Sequence, residues 1–196
     1  MLTQEDILSF HISRWEELPD LDLYMDQVLG VVEKNLSVFS KIDGSKTITA
    51  TMINNYVKQK ILEPPVNKKY NRTHLARLTI ICIFKKYLNL NEIADGMHML
   101  TEQYESSRIY NLVCDEIEAA LNAAFASPEQ LMPARSEQND ETMVMVRRGA
   151  EAFASMTYAR TVIAAYHEKC KMRERERLNA LSEKAEKKKK DKTEKA

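Results

Sequence analysis

A chain of 196 residues with 29 basic and 29 acidic side chains and a formal net charge of zero is long enough for one substantial core, or for a small domain with a helical extension. Four Gly, five Pro and a helix-forming majority point to an all-α protein with at most one short hairpin. No run of about 18 apolar residues is present, which excludes a membrane-spanning helix. Glu5 and Asp6 also stand where a secretory signal needs bases, so a cytoplasmic location is expected and no membrane contact.

Thr3, with Asp6 three residues on, forms a capping-box pattern that opens a short helix carrying Ile7, Leu8 and Phe10. Leu18-Pro19-Asp20 closes this N-terminal arm of residues 1–20. Leu21, Met25, Val28, Val32, Leu36 and Phe39 then step by three and four, which predicts one helix over 22–39. The acidic Asp20-Leu21-Asp22 would complement its N-terminal dipole. Asp43-Gly44-Ser45 marks a turn. Thr49 is a good N-cap for a helix over 49–61 with Ile53, Tyr56, Val57 and Ile61 inward. Glu63-Pro64-Pro65 forbids continuation, and residues 66–70 form a short exposed excursion of hairpin type. Asn71 or Thr73 caps a helix reaching 87, apolar all round at 80–84 and therefore buried on most sides. A helix over 91–102 follows, then one over 106–125 with Ile109, Leu112, Val113, Ile117, Leu121 and Ala124 on a stripe.

Residues 126–140 lack periodicity and read as a linker between a domain over 21–125 and a long helix over 141–196. In that helix Met145, Gly149, Ala152, Met156, Ala159, Ile163, Tyr166 and Cys170 keep a 4-3 spacing, a coiled-coil or bundle seam. Ala152, Met156, Ala159, Ile163 and Tyr166 are the candidate dimerisation residues, and the small Gly149, Ala152 and Ala159 would let a partner helix approach closely. The Lys-rich stretch from 184 is expected to fray into solvent.

The zero net charge hides segregation. Residues 1–33 carry eight acids against Arg14, residues 46–90 carry nine Lys or Arg against Glu63, and residues 91–142 carry eleven acids against Arg108 and Arg135. Such sorting is an argument about partners. Catalysis is not expected, because no pair of groups is placed for acid–base or nucleophilic work. Cys82, Cys114 and Cys170 lie at least 32 residues apart, which matches no metal clip and makes each a small buried hydrophobe. His11, His74, His98 and His167 are isolated, so neither metal nor cofactor is expected. Met97 and Met99 near Phe84 and Tyr87 suit core packing better than an effector pocket, and any small-molecule effector is left unidentified.

The informative segment is 49–78, which reads as a helix with small hydroxyls and amides, a Pro-closed loop rich in Lys, then a second helix. Thr49, Thr51, Asn54, Asn55 and Lys58 are short donors and acceptors that reach base edges or phosphates from a major groove. Lys68, Lys69 and Arg72 would add phosphate contacts, and Tyr70 and His74 complete the candidate DNA-binding set. This arrangement resembles the DNA-binding domain of MerR-type winged helix-turn-helix regulators. Residues 51–56 stand in its recognition helix, 61–65 in its turn and Lys69-Tyr70 at the end of its wing. Leu90-Asn91-Glu92-Ile93 matches the start of its next helix. The usual Arg is Asn54 here, the first of its paired aromatics is Asn55, and its turn Gly is Lys60. A closer likeness, over about 10–125, is to the small bacterial proteins labelled domain of unknown function 1836. It is carried by Arg-Trp-Glu-Glu-Leu-Pro-Asp-Leu-Asp-Leu-Tyr-Met-Asp-Gln-Val at 14–28 and by the block at 49–78. The resemblances imply a transcriptional regulator binding double-stranded DNA as a homodimer. The competing reading is a non-enzymatic helical adaptor that binds a protein partner through its segregated faces.

Overall fold

Helices dominate the computed structural model, which describes residues 3–43, 46–126 and 140–193. Among these residues the only extended pairing is two isolated antiparallel bridges. The expected turn at Gly44-Ser45 and most of the linker over 126–140 lie outside the described residues. Helix α1 (Gln4–Leu8) opens on Thr3, whose hydroxyl accepts the Asp6 N–H while the Asp6 carboxylate accepts the Thr3 N–H. The Gln4 amide donates to Phe125 O at 2.8 Å, pinning the arm to a helix distant in sequence. A 3-10 turn (Trp15–Glu17) follows. The Arg14 guanidinium donates to both Glu118 carboxylate oxygens, at 2.8 and 2.7 Å, and Glu118 also accepts the Ile12 N–H at 2.6 Å. Burial alone would raise the Glu118 pKa. These donors outweigh burial and hold the carboxyl below its ordinary range.

The single helix expected over 22–39 is in fact two, α2 (Met25–Asn35) and α3 (Ser37–Asp43). Two local demands explain the difference. Leu23 is drawn into an antiparallel bridge with Tyr70, with N–O distances of 2.8 Å in both directions, so α2 starts only at Met25. Leu21, expected inward, is 74% exposed. At the other end the Asn35 amide accepts from Ser13 N at 2.8 Å and donates to Tyr110 Oη at 3.2 Å. Leu36 then leaves helical geometry (φ −115°, ψ 16°), and the break lets Leu36, Val38 and Phe39 all be buried.

Helix α4 (Ala50–Lys58) is capped by Thr49. Helix α5 (Arg72–Phe84) is the central element, with ten of its 13 residues buried, as a helix apolar all round requires. Asn71 caps it. Helix α6 (Leu90–Gln103), capped by Asn89, and helix α7 (Ser106–Ala126) pack against α5. Helix α8 (Glu141–Thr193) lies along α7. Its buried residues are Thr142, Val146, Ala150, Phe153, Ala154 and Thr157, and the Phe153 ring meets Phe39 of α3 edge-on, with centroids 5.0 Å apart.

That buried stripe is not the 4-3 seam, which runs beside it on the same helix. Ala152, Ala159, Ile163 and Tyr166 are exposed, and Met156 is half-buried against the core. Gly149 admits rings of its own chain, not a partner helix. A Cβ built there would stand 2.8 Å from Phe84 Cε1 and 3.0 Å from Tyr87 Oη, and Tyr87 Oη donates to Gly149 O at 2.6 Å. Cys82 and Cys114 are buried as expected, but Cys170, on the far part of α8, is only half-buried. No helix among the described residues is long and apolar enough to cross a membrane.

Candidate nucleic-acid interface

Helix α4 divides its faces at helical spacing. Ile53 and Tyr56 are buried, and burial pushes the Tyr56 hydroxyl up to about 12. Met52 and Val57 are half-buried beside them. Thr51, Asn54, Asn55 and Lys58 are exposed and share the outer side, as residues three and four apart must. Thr49 belongs to the cap: its hydroxyl accepts the Met52 N–H at 3.3 Å. The helix closes at Lys60, which takes φ 59°, while Ile61 N and Leu62 N return to Tyr56 O at 2.9 and 3.2 Å. A left-handed residue at this point is the usual way to end a helix and satisfy its last carbonyls.

The hairpin expected at 66–70 is present. Val66 and Lys69 exchange hydrogen bonds at 3.1 and 2.9 Å around Asn67 and Lys68, whose φ values are 51° and 64°. Two positive φ values at the tip define a type I′ turn. The turn presents Lys68 to solvent.

Sequence reasoning missed the support for this hairpin. The Leu23/Tyr70 bridge lays the chain at Leu23 along its edge. Lys69 Nζ lies 5.3 Å from the Tyr24 ring centroid, and Asp20 Oδ1 pairs with Arg72 Nη2 at 3.1 Å. Arg72, expected to grip phosphate, pairs with the exposed Asp20 and lies with its guanidinium 5.8 Å from the Trp15 ring centroid. Tyr70 is 3% exposed and meets His74 edge-on, with ring centroids 5.4 Å apart. His74, 5% exposed, sits in the first turn of α5, and its Nδ1 accepts the Asn71 N–H at 3.1 Å. Neither Tyr70 nor His74 reaches the surface that α4 and the hairpin expose, because their rings fill the space beneath the hairpin.

A family model described as Domain of unknown function (DUF1836) matches residues 13–128. The chain belongs to this family. No curated protein and no solved structure matches the chain. The DUF1836 region begins just before the Trp15–Glu17 turn and runs past the end of α7. It therefore holds α4, the hairpin, the Leu23/Tyr70 bridge and the Arg14/Glu118 clamp, while α1 and α8 lie outside it.

Within the DUF1836 region the nine basic residues of 46–90 do not all face outward. Arg72 is engaged with Asp20, Arg77 pairs with Glu63 at 3.1 Å, and Lys85 Nζ donates to Thr47 O at 2.7 Å. Burial pushes the Lys85 pKa down. Lys58, Lys60 and Lys68 are exposed, and no acid among the described residues pairs with them. The exposed cations thus cluster beside the polar stripe of α4 and at the hairpin tip. No group of three His, Cys, Asp or Glu among the described residues is gathered as a metal site would need.

Proposed function

We propose that this DUF1836 protein is a sequence-specific, double-stranded-DNA-binding transcriptional regulator that acts as a homodimer. Helix α4 enters the major groove, and the hairpin grips the flanking backbone in the manner of a MerR-like wing. The observation that carries this reading is the exposed stripe Thr51, Asn54, Asn55 and Lys58 on a helix whose other side is buried, next to a hairpin tipped by Lys68. An amide there makes a bidentate pair with adenine, and a lysine reaches guanine or phosphate. Left-handed Lys60, at the position of the MerR turn glycine, supports the likeness. The homodimer is supported by Val162, Ile163 and Tyr166, large apolar side chains exposed on α8, where a second copy of the seam would cover them.

The test is a titration against duplex DNA at several salt concentrations. Lys46, Lys58, Lys60, Lys68 and Lys69 supply most of about four to six phosphate contacts per subunit, and each contributes roughly −0.9 to the log–log slope of affinity against salt. A slope near zero between low and physiological salt removes the DNA reading. Against the true operator, Asn54→Ala loses about 1–3 kcal/mol of discrimination, while affinity for scrambled duplex stays nearly unchanged. Equal losses on both duplexes would mean that α4 is not the reading helix.

A further inference from the structure

An apolar cavity lies away from α4, where α8 first meets α5 and α6. Its volume is about 70 Å³, and its walls include Ile80, Phe84, Ile93, Met97, Met145 and Val146. The one charged residue at its edge, Glu92, has a carboxylate oxygen already accepting the Asn89 N–H at 2.8 Å. Protein interiors close such gaps when their walls are free to move. Here one side of the frame is fixed. One turn further along α8, Gly149 lies so close to α5 that a Cβ would stand 2.8 Å from Phe84. The Tyr87 hydroxyl holds the Gly149 carbonyl at 2.6 Å. The contact at Gly149 sets the height of α8 over α5, and the space beside Met145 is left open next to it.

We infer that this cavity is a binding site for a small, neutral, apolar molecule. Apolar walls offer nothing to a polar ligand, and apolar cavities accept hydrocarbon. An engineered cavity of about 150 Å³ lined by Leu, Ile and Phe takes up benzene, so benzene needs more room than is open here. Met97 and Met145 provide it. Met97 is half-buried and Met145 exposed at the rim, and unbranched thioether chains change rotamer to fit an occupant. Binding at this site does not depend on the DNA reading and would survive its failure.

The test uses the full chain with its ten methionines labelled with ¹³C at the methyl group, titrated with benzene and, as a polar match in size, pyrimidine. Benzene shifts the Met97 and Met145 signals saturably at a stoichiometry of one and raises the melting temperature by a few degrees. Pyrimidine does neither. Met99 and Met172, both exposed, stay still and report on surface partitioning. Gly96→Leu places a side chain in the mouth, where only the flexible end of Met145 is near, at 3.6 Å, and it abolishes the benzene response while the melting temperature is kept or raised. If Gly96→Leu fails to fold, the wild-type titration decides alone. Silence of Met97 and Met145 up to the solubility of benzene, or shifts shared equally with Met99 and Met172, overturns the inference.

Discussion

Lys68 shows how one side chain serves two opposed requirements. Its φ of 64° is a conformation in which a Cβ costs about 1 kcal/mol and a glycine nothing. Lys68→Gly creates Asn-Gly, the preferred pair for this turn, so urea unfolding should show a gain of up to about 1 kcal/mol. The same substitution removes the exposed cation at the hairpin tip. Affinity for operator and scrambled duplex should then fall together, with the salt slope reduced by about one unit. His74, beneath the hairpin, carries a pH dependence of definite sign. Burial lowers its pKa, with Arg77 acting the same way and Glu63 opposing them. The folded chain therefore takes up a proton at lower pH than the unfolded chain. Stability is complete above about pH 6.5, the ordinary histidine value, and declines as the pH falls toward the lowered folded value. Denaturant midpoints measured from about pH 7.5 to 5 should slope more steeply for the wild type than for His74→Gln.

At the scale of the element, two helical glycines give opposite outcomes for one substitution. Gly30 lies within α2 with nothing within 4 Å of a built Cβ, so Gly30→Ala should stabilise by up to about 1 kcal/mol through helix propensity. Gly149 has the same propensity to gain, but its Cβ would meet Phe84 at 2.8 Å. Gly149→Ala should therefore destabilise by about 1–3 kcal/mol as the rings are pushed aside, and paired thermal melts of the two variants check both signs. The two glycines also mark what was legible beforehand. Some helix starts were readable, because Thr3, Thr49 and Asn71 cap the helices that follow them and capping is a local matter. Elements fixed by remote partners were not. Residues 21–24 have helical spacing of apolar side chains, yet Leu23 pairs with Tyr70 as extended chain. Helix α8 carries two apolar stripes side by side, and periodicity alone does not say which of them its own chain covers. At the candidate site the α4 stripe was legible from spacing. The Asp20 pairing of Arg72 and the inward turns of Tyr70 and His74 were not, since each depends on the unforeseen course of the chain at 20–24.

At the scale of the molecule, α8 is 53 residues long, on the order of 80 Å. Its buried positions end at Thr157 among the described residues. The exposed seam beyond that point is therefore separable from the core. Ala159→Glu with Ile163→Glu should convert a dimer to a monomer in sedimentation while the melting temperature of the monomeric fold is retained, because neither side chain is buried. A wild-type chain that already sediments as a monomer would refute the self-association reading. The clamp at the other end of the chain bears on how the protein is made. Gln4 and Arg14 find their partners 121 and 104 residues later, at Phe125 and Glu118, and Trp15 N donates to Asn111 Oδ1 at 2.7 Å. Residues 4–15 leave the ribosome well before α7 and are thus among the last to gain their native contacts. Pairings so distant in sequence are slow to close. Until α7 has emerged, α1 and the Trp15–Glu17 turn lack the helix they pack against and stay open to chaperones and proteases.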